Sequence, residues 1–415
     1  MRKNKAWCTS MTDRQIIREL AKKYMEQATS EKQLAANKRM QDTNDLKLVR
    51  PPVMLNEIPW YQMDIDGDLV CLCRDPRARE VEGHLRRYLY MCKYFRADNI
   101  LEPYFRVNRH FEVTPSGWEV REDIRRTDDE NHIISHHYID VLETEEAVEA
   151  FRMPEFSLDP EKDEEAVNYY SDLLGDAMPV KLCGMNYLYF MPWDLIVRLR
   201  GMEPILFDFY DRPEHLHAIM EKMCAAKQAE LDFIEQNNLV NSLPYELHCT
   251  PGLISGLADG GLKGTWFRGA AQGFSTISPA MHEEFEINYV KPIAERFAYS
   301  YYGCCEPLDN KLEVIKKIPN LRKVGCSPWA NVEKMAEQLG GNYVLSRKPN
   351  PAHVAHRTDP AEIREEIEET VKLAIKYGCP LDITLKDIST VSNKPENLIV
   401  WSQAVSDVLD RYYGE

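Results

Sequence analysis

Two adjacent cysteines lie where a predicted strand ends, directly before a glutamate and a proline. Residues 302–306, with the sequence YGCCE, form this strand end. Side chains alternate along extended backbone, so Tyr302, Cys304 and Glu306 are expected on one face and Cys305 on the other. A ligand set of thiolate with carboxylate or imidazole suits a zinc ion that keeps one coordination position open. The structural alternative, that these cysteines are small buried apolar side chains, stays open.

Two more residues would complete this ligand set. Cys326 ends another predicted strand, and His248 precedes a glycine-rich loop. We therefore predict a metal site formed by Cys304, Glu306, Cys326 and His248. The sequence contains neither CxxC nor HExxH, so the prediction depends on the strand ends and not on a spacing motif.

Charged residues follow two further predicted strands. Arg347 and Lys348 end one, and Lys386 and Asp387 end the next. They would bind an anionic group or balance the carboxylates, with ion pairing at the rim as the structural alternative. We predict Tyr302, Glu306, Lys386 and Asp387 as catalytic residues. The predicted substrate-binding residues are polar and aromatic side chains near the same strand ends, namely Gln272, Trp329, Arg347, Lys348 and Asn350.

Strands and helices alternate regularly from about residue 265. The predicted strands lie near 299–304 and at 321–326, 342–347 and 381–385, with helices near 309–318, at 331–339 and from 360 to 377. This alternation requires parallel strands joined by helical crossovers. The length of 415 residues favours a closed (β/α)8 TIM barrel, and neither GxGxxG nor GxxxxGK[ST] supports an open nucleotide-binding sheet. In such barrels the active site lies at the carboxyl ends of the strands, where the residues above fall.

The beginning of the chain lacks this alternation. Residues 1–95 are predicted to form a helical and irregular N-terminal extension packed on the barrel, and Thr12 with Gln15 forms a capping box at its first helix. The barrel is predicted over 96–415, with a β-hairpin insertion near 108–140. In that insertion, residues 111–113 and 118–120 flank the turn sequence TPSG.

Composition narrows the classes of partner. The chain has 51 Lys and Arg against 67 Asp and Glu, a net charge of −16, which disfavours binding to nucleic acid or to an anionic membrane. No apolar run is long enough for a membrane span, and the first residues lack the apolar stretch of a secretory signal, so a cytoplasmic location is expected. Eleven scattered cysteines are typical of thiols and ligands, not of a disulfide framework.

Several strings in the sequence resemble the uroporphyrinogen decarboxylase-like superfamily. They are NDL at 44–46, RPP at 50–52, NEIPW at 56–60, YYGCCEPL at 301–308, SPW at 327–329, RKPNP at 347–351 and LKDISTV at 385–391. More narrowly, they resemble the branch of anaerobic bacteria that is associated with corrinoid-dependent methyl transfer. The resemblance covers most of the chain, most strongly 265–400, and implies a (β/α)8 barrel.

The resemblance also implies a modified metal site. Methyltransferase members hold zinc with a His-x-Cys pair and a distant Cys, but here Tyr302-Gly303-Cys304 occupies the position of the pair and Lys386 or a neighbour the distant position. Glu306, Cys326 or His248 would restore the ligand count and give a harder site. The arginine-rich segment with which the decarboxylases hold porphyrinogen carboxylates has no convincing counterpart, so that reaction is not expected.

These implications lead to one expected function and two alternatives. The expected protein is a methyltransferase that demethylates a small O- or N-methylated compound, such as an aromatic methyl ether, and passes the methyl group to a separate corrinoid protein. Zinc would be its own cofactor, and the corrinoid would belong to the partner because the sequence has no DxHxxG cobalamin motif. The alternatives are a metal-independent decarboxylase or lyase acting on a polycarboxylate, and a catalytically silent barrel that serves as a binding subunit. The superfamily likeness is consistent with a homodimer.

Overall fold

The structure is a computed structural model that describes residues 11–125, 135–241, 243–355 and 358–414. Its strands are β1 (Val53–Leu55), β2 (Phe105–Asn108), β3 (Phe111–Val113), β4 (Arg121–Arg125), β5 (Ser135–Ile139), β6 (Phe156–Leu158), β7 (Val180–Cys183), β8 (Tyr187–Phe190), β9 (Glu246–Leu247), β10 (Thr250–Pro251), β11 (Trp266–Gly269), β12 (Tyr299–Tyr302), β13 (Leu321–Cys326), β14 (Val344–Arg347) and β15 (Leu381–Leu385).

The helices surround these strands. They are α1 (Asp13–Ala28), α2 (Glu31–Asn44), α3 (Pro76–Tyr94), α4 (Glu145–Glu149), α5 (Pro160–Leu174), α6 (Pro192–Arg200), α7 (Met202–Asp211), α8 (Pro213–Gln236), α9 (Pro279–His282), α10 (Asn288–Ala294), α11 (Leu312–Ile315), α12 (Val332–Leu339), α13 (Ala352–Ala355), α14 (Pro360–Tyr377) and α15 (Glu396–Tyr413). Among the described residues, no helix combines the length and the apolar character needed to cross a membrane.

One sheet of seven parallel strands organises the molecule. Its order is β1-β15-β14-β13-β12-β11-β8, so neighbouring strands from β11 to β15 follow one another in the chain. This confirms the predicted α/β class. The sheet is compatible with a (β/α)8 barrel, although the pairings among the described residues do not show closure between β1 and β8.

The regular second half follows the sequence prediction closely. Strands β13 and β15 have the predicted bounds, and α14 begins after an Asp359 cap and ends at Gly378 in the left-handed conformation. The helix predicted near 309–318 is only the single turn Leu312–Ile315. Strand β12 ends at Tyr302, two residues earlier than predicted.

The N-terminal half differs more from the prediction. Thr12 and Gln15 form the predicted capping box. However, the strand Val53–Leu55, inside the range predicted as an extension, pairs with β15 and forms one edge of the main sheet. The hairpin predicted around the TPSG turn is not formed, because Phe111–Val113 pairs with Phe156–Leu158 instead. Within the predicted insertion, β4 pairs antiparallel with β5. Residues 126–134, between these two strands, lie outside the described chain. The boundary at residue 95 stays a prediction.

The two faces of the sheet carry different side chains. On the outer face, Phe267 and Tyr302 belong to the main apolar core, together with residues of the surrounding helices. On the inner face, Trp266 and Tyr301 pack with Leu247. Strands buried on both faces are expected in a parallel sheet covered by helices, and they fix which residues reach the carboxyl end on the inner side.

Candidate active site

Three strand ends and one turn bring reactive side chains to one edge of the structure. Glu57 follows β1, Cys304 and Cys305 follow β12, and Lys386 follows β15. His248 and Cys249 form the turn between β9 and β10. Because the strands of the sheet are parallel, their carboxyl ends meet at the same side, which is the usual position of an active site in such folds.

The vicinal thiols and Lys386 form the centre of this group. Lys386 Nζ lies 3.6 Å from Cys304 Sγ and 3.3 Å from Cys305 Sγ, and the two sulfur atoms are 3.6 Å apart. Hydrogen bonding from Cys305 lowers the pKa of Cys304 far below its ordinary value, with help from His248, Lys386 and Arg268, while the pKa of Cys305 is raised. These opposite shifts favour Cys304 as the thiolate and Cys305 as the thiol of the pair.

A second group, next to the thiols, has the composition of a metal site. One ligand atom from each of Glu57, His248 and Cys249 lies within 4.8 Å of the others, which makes this the one such group of three found among the described residues. The Cys249 thiol donates to Glu57 Oε1 at 3.5 Å, and His248 Nε2 is 3.9 Å from the same oxygen. Burial raises the pKa of Cys249 to about 12, so a bound cation would displace a proton from this thiol.

The donor set of this group fits zinc. Carboxylate, imidazole and thiolate are all accepted zinc ligands, and three protein ligands leave the fourth position open, as in catalytic sites. The fit is one of donor chemistry and proximity. Of the predicted metal ligands, His248 belongs to this group; the other two members, Glu57 and Cys249, were not predicted.

Backbone conformation also sets these residues apart. Glu57, Cys249 and Asp387 all have positive φ, at 54°, 54° and 57°, a conformation that non-glycine residues rarely adopt. They contact one another: Asp387 donates its backbone N–H to Glu57 Oε2 at 2.7 Å, and Cys249 bonds to Glu57 as described. Such strain costs about 1–3 kcal/mol per residue and concentrates at functional sites. The carboxylate of Asp387 pairs with Lys386 at 2.9 Å and accepts a hydrogen bond from Cys305 at 3.4 Å.

Glu306 holds the loop that carries the thiols. Its carboxylate accepts the backbone N–H of Cys304 at 3.0 Å and that of Ala271 at 3.3 Å. The residue is buried, and burial raises its pKa to about 7. Both hydrogen bonds come from backbone groups, so Glu306 positions Cys304, while its role as a metal ligand stays a prediction.

Tyr302 lies on the other face from the site. Its hydroxyl bonds to His282 and Glu286 in a fully buried cluster on the helix side of the sheet. The expected alternation from Tyr302 to Cys304 and Glu306 fails because β12 ends at Tyr302 and Gly303 has a φ of 110°. A Cβ at Gly303 would lie 2.8 Å from Leu308, so only glycine fits this turn. The structure therefore corrects the shared-face expectation and separates Tyr302 from the thiols.

Several other predicted residues are not brought to the thiols. Cys326 is buried in the outer core, and Arg347 bonds to Ser327 O at 2.7 Å and to Glu366 at 2.8 Å. Asn350 donates its backbone N–H to the same Glu366 carboxylate. These three residues lie together on the helix side.

The remaining substrate-binding candidates lie in three different environments. Lys348 is buried on the inner face, where its ammonium donates to Cys249 O at 2.6 Å and to Ser346 Oγ at 2.9 Å. Gln272 donates to Asp194, which is itself buried enough for burial to raise its pKa. Trp329 is 71% exposed. Lys348 thus stabilises the turn that contains Cys249.

Glu57 and Cys249 were the functional residues that the sequence did not reveal. Glu57 lies inside the NEIPW string, and Cys249 is adjacent to His248, so both had a local signal. Their convergence depends on two loops separated by nearly two hundred residues, which no short motif encodes. A cavity of about 700 Å³ opens beside Glu57, between β1 and α3.

Comparison with known proteins gives information on the fold. No family model and no curated protein matches the sequence. Among solved structures, the chain is similar to a methyltransferase from Methanosarcina mazei, with a TM-score of 0.50 and 12% sequence identity. The similarity covers 91% of this chain and 99% of that chain. At this identity the likeness shows that the two chains share their overall fold.

Proposed function

We propose that the protein is a methyltransferase that takes the methyl group from a small O- or N-methylated compound and transfers it to a separate corrinoid protein. The observation that carries the proposal is the Glu57, His248 and Cys249 group beside the Cys304 thiolate at the strand ends. The shared fold with the archaeal methyltransferase and the resemblance of the sequence to the corrinoid-associated branch support the same activity.

The chemistry requires stabilisation of a poor leaving group. In such a transfer the bond between methyl carbon and heteroatom would break with its electron pair left on the heteroatom, and the methyl group would pass to the nucleophilic cobalt that the partner's corrinoid would supply. Zinc at Glu57, His248 and Cys249 would supply a Lewis acid for the leaving atom. Lys386 supplies a fixed positive charge at the same edge of the sheet. Burial disfavours the charged form of Lys386, but Cys304 and Asp387 outweigh burial and raise its pKa above the usual value.

The decarboxylase alternative would use Arg347, Lys348 and Lys386 to hold substrate carboxylates, and the first two are engaged elsewhere. Arg347 is engaged with Glu366 and Ser327, and Lys348 with Cys249 and Ser346, and both side chains are buried. Lys386 remains near the site, but its partners are Asp387 and the two thiols. These contacts favour methyl transfer over binding of a polycarboxylate.

Zinc binding and methyl transfer are tested on the same set of proteins. The purified full chain is loaded with zinc, and its affinity is measured by competition with a chromogenic chelator. It is then incubated with cob(I)alamin and a panel of methoxylated aromatics and methylamines, while the visible spectrum is followed for methylcobalamin. We expect one zinc per chain and formation of methylcobalamin with one class of donor.

Variants separate the metal site from other thiols. Cys249→Ser and Glu57→Gln are expected to weaken zinc binding by more than about 100-fold, beyond the usual effect of changing an outer-shell residue. Cys224→Ser, which changes a half-buried thiol that bonds to Tyr289 O away from the site, is the matched control and should bind zinc normally. A protein that binds no zinc and transfers no methyl group to cobalamin would contradict the proposal.

A further inference from the structure

A second cavity, of about 440 Å³, lies next to the one beside Glu57 and has an aromatic wall. Its lining includes six phenol or phenyl rings, from Tyr24, Tyr88, Tyr104, Phe105, Tyr170 and Tyr245. These residues come from α1, α3, α5, β2 and the segments that precede β2 and β9. The size is within the range of pockets that hold small molecules.

The rings form a connected surface and not a scatter of separate contacts. Tyr24 meets Tyr88 edge to face with centroids 5.8 Å apart, and His84 lies 4.8 Å from Tyr88. His84 is also 6.1 Å from Phe105, which packs against Tyr170 at 4.8 Å. The aromatic wall is therefore continuous from α1 through α3 and β2 to α5.

Carboxylates outnumber cations in this lining. Glu80, Glu102 and Glu246 all border the cavity, whereas Arg106 is the one lysine or arginine in its lining. Arg106 is already paired with Glu102, whose Oε2 accepts from Nε at 2.9 Å. Among the described residues, no ion pair joins Glu80 or Glu246 to a cation, and Asn56 donates one hydrogen bond to Glu246 at 2.8 Å. Two carboxyl groups thus border the aromatic cavity without a paired lysine or arginine.

This combination suits one class of ligand. A ring face attracts a cation through its quadrupole, and aromatic walls are the usual means of binding quaternary ammonium groups, which cannot donate hydrogen bonds. A neutral methyl ether would gain from the rings but not from unpaired carboxylates. We propose that the aromatic cavity binds the methylated ammonium group of a small cationic substrate. This inference rests on the proposed function and narrows its donor to the N-methylated class.

The aromatic cavity also adjoins the cavity beside Glu57. Glu80, His84, Tyr88 and Glu246 border both cavities, and the larger cavity is lined by Glu57 as well. Glu246 precedes His248 by two residues, at the start of the turn that carries His248 and Cys249. A ligand held by the rings would therefore lie next to the cavity that Glu57 borders.

Direct binding tests the inference without methyl transfer. Choline is titrated into the full chain by calorimetry, alongside dimethylbutanol, its neutral isostere, in which carbon replaces the nitrogen. We expect choline to bind at least about tenfold more tightly, because the shape is shared and only the charge differs. Equal binding of the two compounds, or no heat from either in the millimolar range, would overturn the inference.

Variants identify the rings and the carboxylate. Tyr88→Leu should weaken choline binding about tenfold, while Tyr88→Phe keeps the ring and should stay within a few-fold of the parent. Glu246→Gln keeps an acceptor for Asn56 and should also weaken binding about tenfold. Tyr210→Leu, which changes a tyrosine that is 79% exposed and lies outside the cavity lining, should leave the affinity unchanged. Unchanged affinity in both Tyr88→Leu and Glu246→Gln would place choline elsewhere and overturn the inference.

Failure of this inference and failure of the proposed function give different results. Methyl transfer from a neutral ether without choline binding overturns the aromatic site and leaves the methyltransferase standing. Selective choline binding without any transfer to cobalamin supports the aromatic site and removes the methyltransferase.

Discussion

At the residue scale, Glu306 shows how a buried carboxyl group can position a reactive thiol. Its two oxygens accept backbone N–H groups from two loops, at Cys304 and Ala271. Burial raises its pKa from an ordinary 4.5 to about 7, and the Cys304 thiolate adds to that rise. The folded protein therefore holds the Glu306 proton more tightly than the unfolded chain does.

This difference predicts a pH dependence of stability. The stabilisation that protonated Glu306 provides is complete below about pH 4.5 and is lost as pH rises through about 7, a change of about 3 kcal/mol. Glu306→Gln should flatten the free energy of unfolding across this window, as measured by urea denaturation at several pH values. The exposed substitution Glu337→Gln is the control and should retain the slope of the parent. Parallel curves for the parent and Glu306→Gln would contradict the assignment.

The sequence identified some of the site residues and not others for a physical reason. Cys304, Cys305 and Lys386 each follow a strand whose apolar run is local and readable, so their meeting at one edge follows from parallel pairing. The positions of Glu57 and Cys249 depend on turns with positive φ, which a sequence indicates only where glycine occupies the turn. Tyr302 was assigned to the wrong face because alternation was extended through Gly303, whose positive φ ends it.

At the element scale, the connection from β12 to the thiols depends on a close approach to β13. Gly303 lies against Gly325, and a Cβ at Gly303 would come within 3.2 Å of Gly325 N and 2.8 Å of Leu308 Cδ1. The helix-ending Gly378 also has positive φ, but nothing lies within 4 Å of its Cβ position. Both glycines have positive φ, but Gly378 lies in the left-handed region at 63° and Gly303 lies beyond it at 110°, and the space around them also differs.

Alanine substitutions at the two positions show how much more stability the turn at Gly303 loses than the left-handed helix end at Gly378. Gly378→Ala should cost about 1 kcal/mol, from left-handed backbone alone. Gly303→Ala should cost more, by about 1–3 kcal/mol, since it adds overpacking at the strand end. Urea denaturation measures the stability of both variants. Gly303→Ala should also raise the pKa of Cys304, because it moves the thiol away from Lys386. The ultraviolet absorbance of the thiolate measures this change. Equal costs at the two glycines would show that the loop accommodates a methyl group.

The predictable part of the fold is the part with strong local signals. Asp359 and Pro360 begin α14 and Gly378 ends it, and β13 and β15 are short segments whose bounds follow from the helices on either side. The pairing of β3 with β6 joins segments more than forty residues apart, so a nearby turn sequence gave the wrong partner. The place of β1 at the sheet edge is likewise decided by its contact with β15, near the other end of the chain.

At the scale of the whole molecule, a buried polar network links the metal-binding turn to the sheet. Strands β9 and β10 pair with each other and not with the seven-stranded sheet. Lys323 on β13 donates to Thr250 Oγ1 at 2.9 Å and pairs with Asp382 on β15 at 2.8 Å. Ser346 on β14 donates to the same aspartate at 2.6 Å. The turn carrying His248 and Cys249 is thus held to three strands through their inner-face side chains.

Asp382 is the member of this network whose loss would matter most. Lys323 and Asp382 are both fully buried, so Asp382→Asn leaves an ammonium group without its counterion and should reduce the free energy of unfolding by about 3–5 kcal/mol. Adding Lys323→Met removes the stranded charge, and the double variant should recover much of that loss, because replacing a buried pair by apolar groups is often close to neutral. Urea denaturation of both variants measures the difference. Zinc affinity should nevertheless stay reduced in the double variant, since Thr250 keeps Ser346 but loses the Lys323 ammonium and the Asp382 carboxylate. Full recovery of zinc binding would mean that the turn is held by other contacts, such as that of Trp266 with Gly252 O at 2.8 Å.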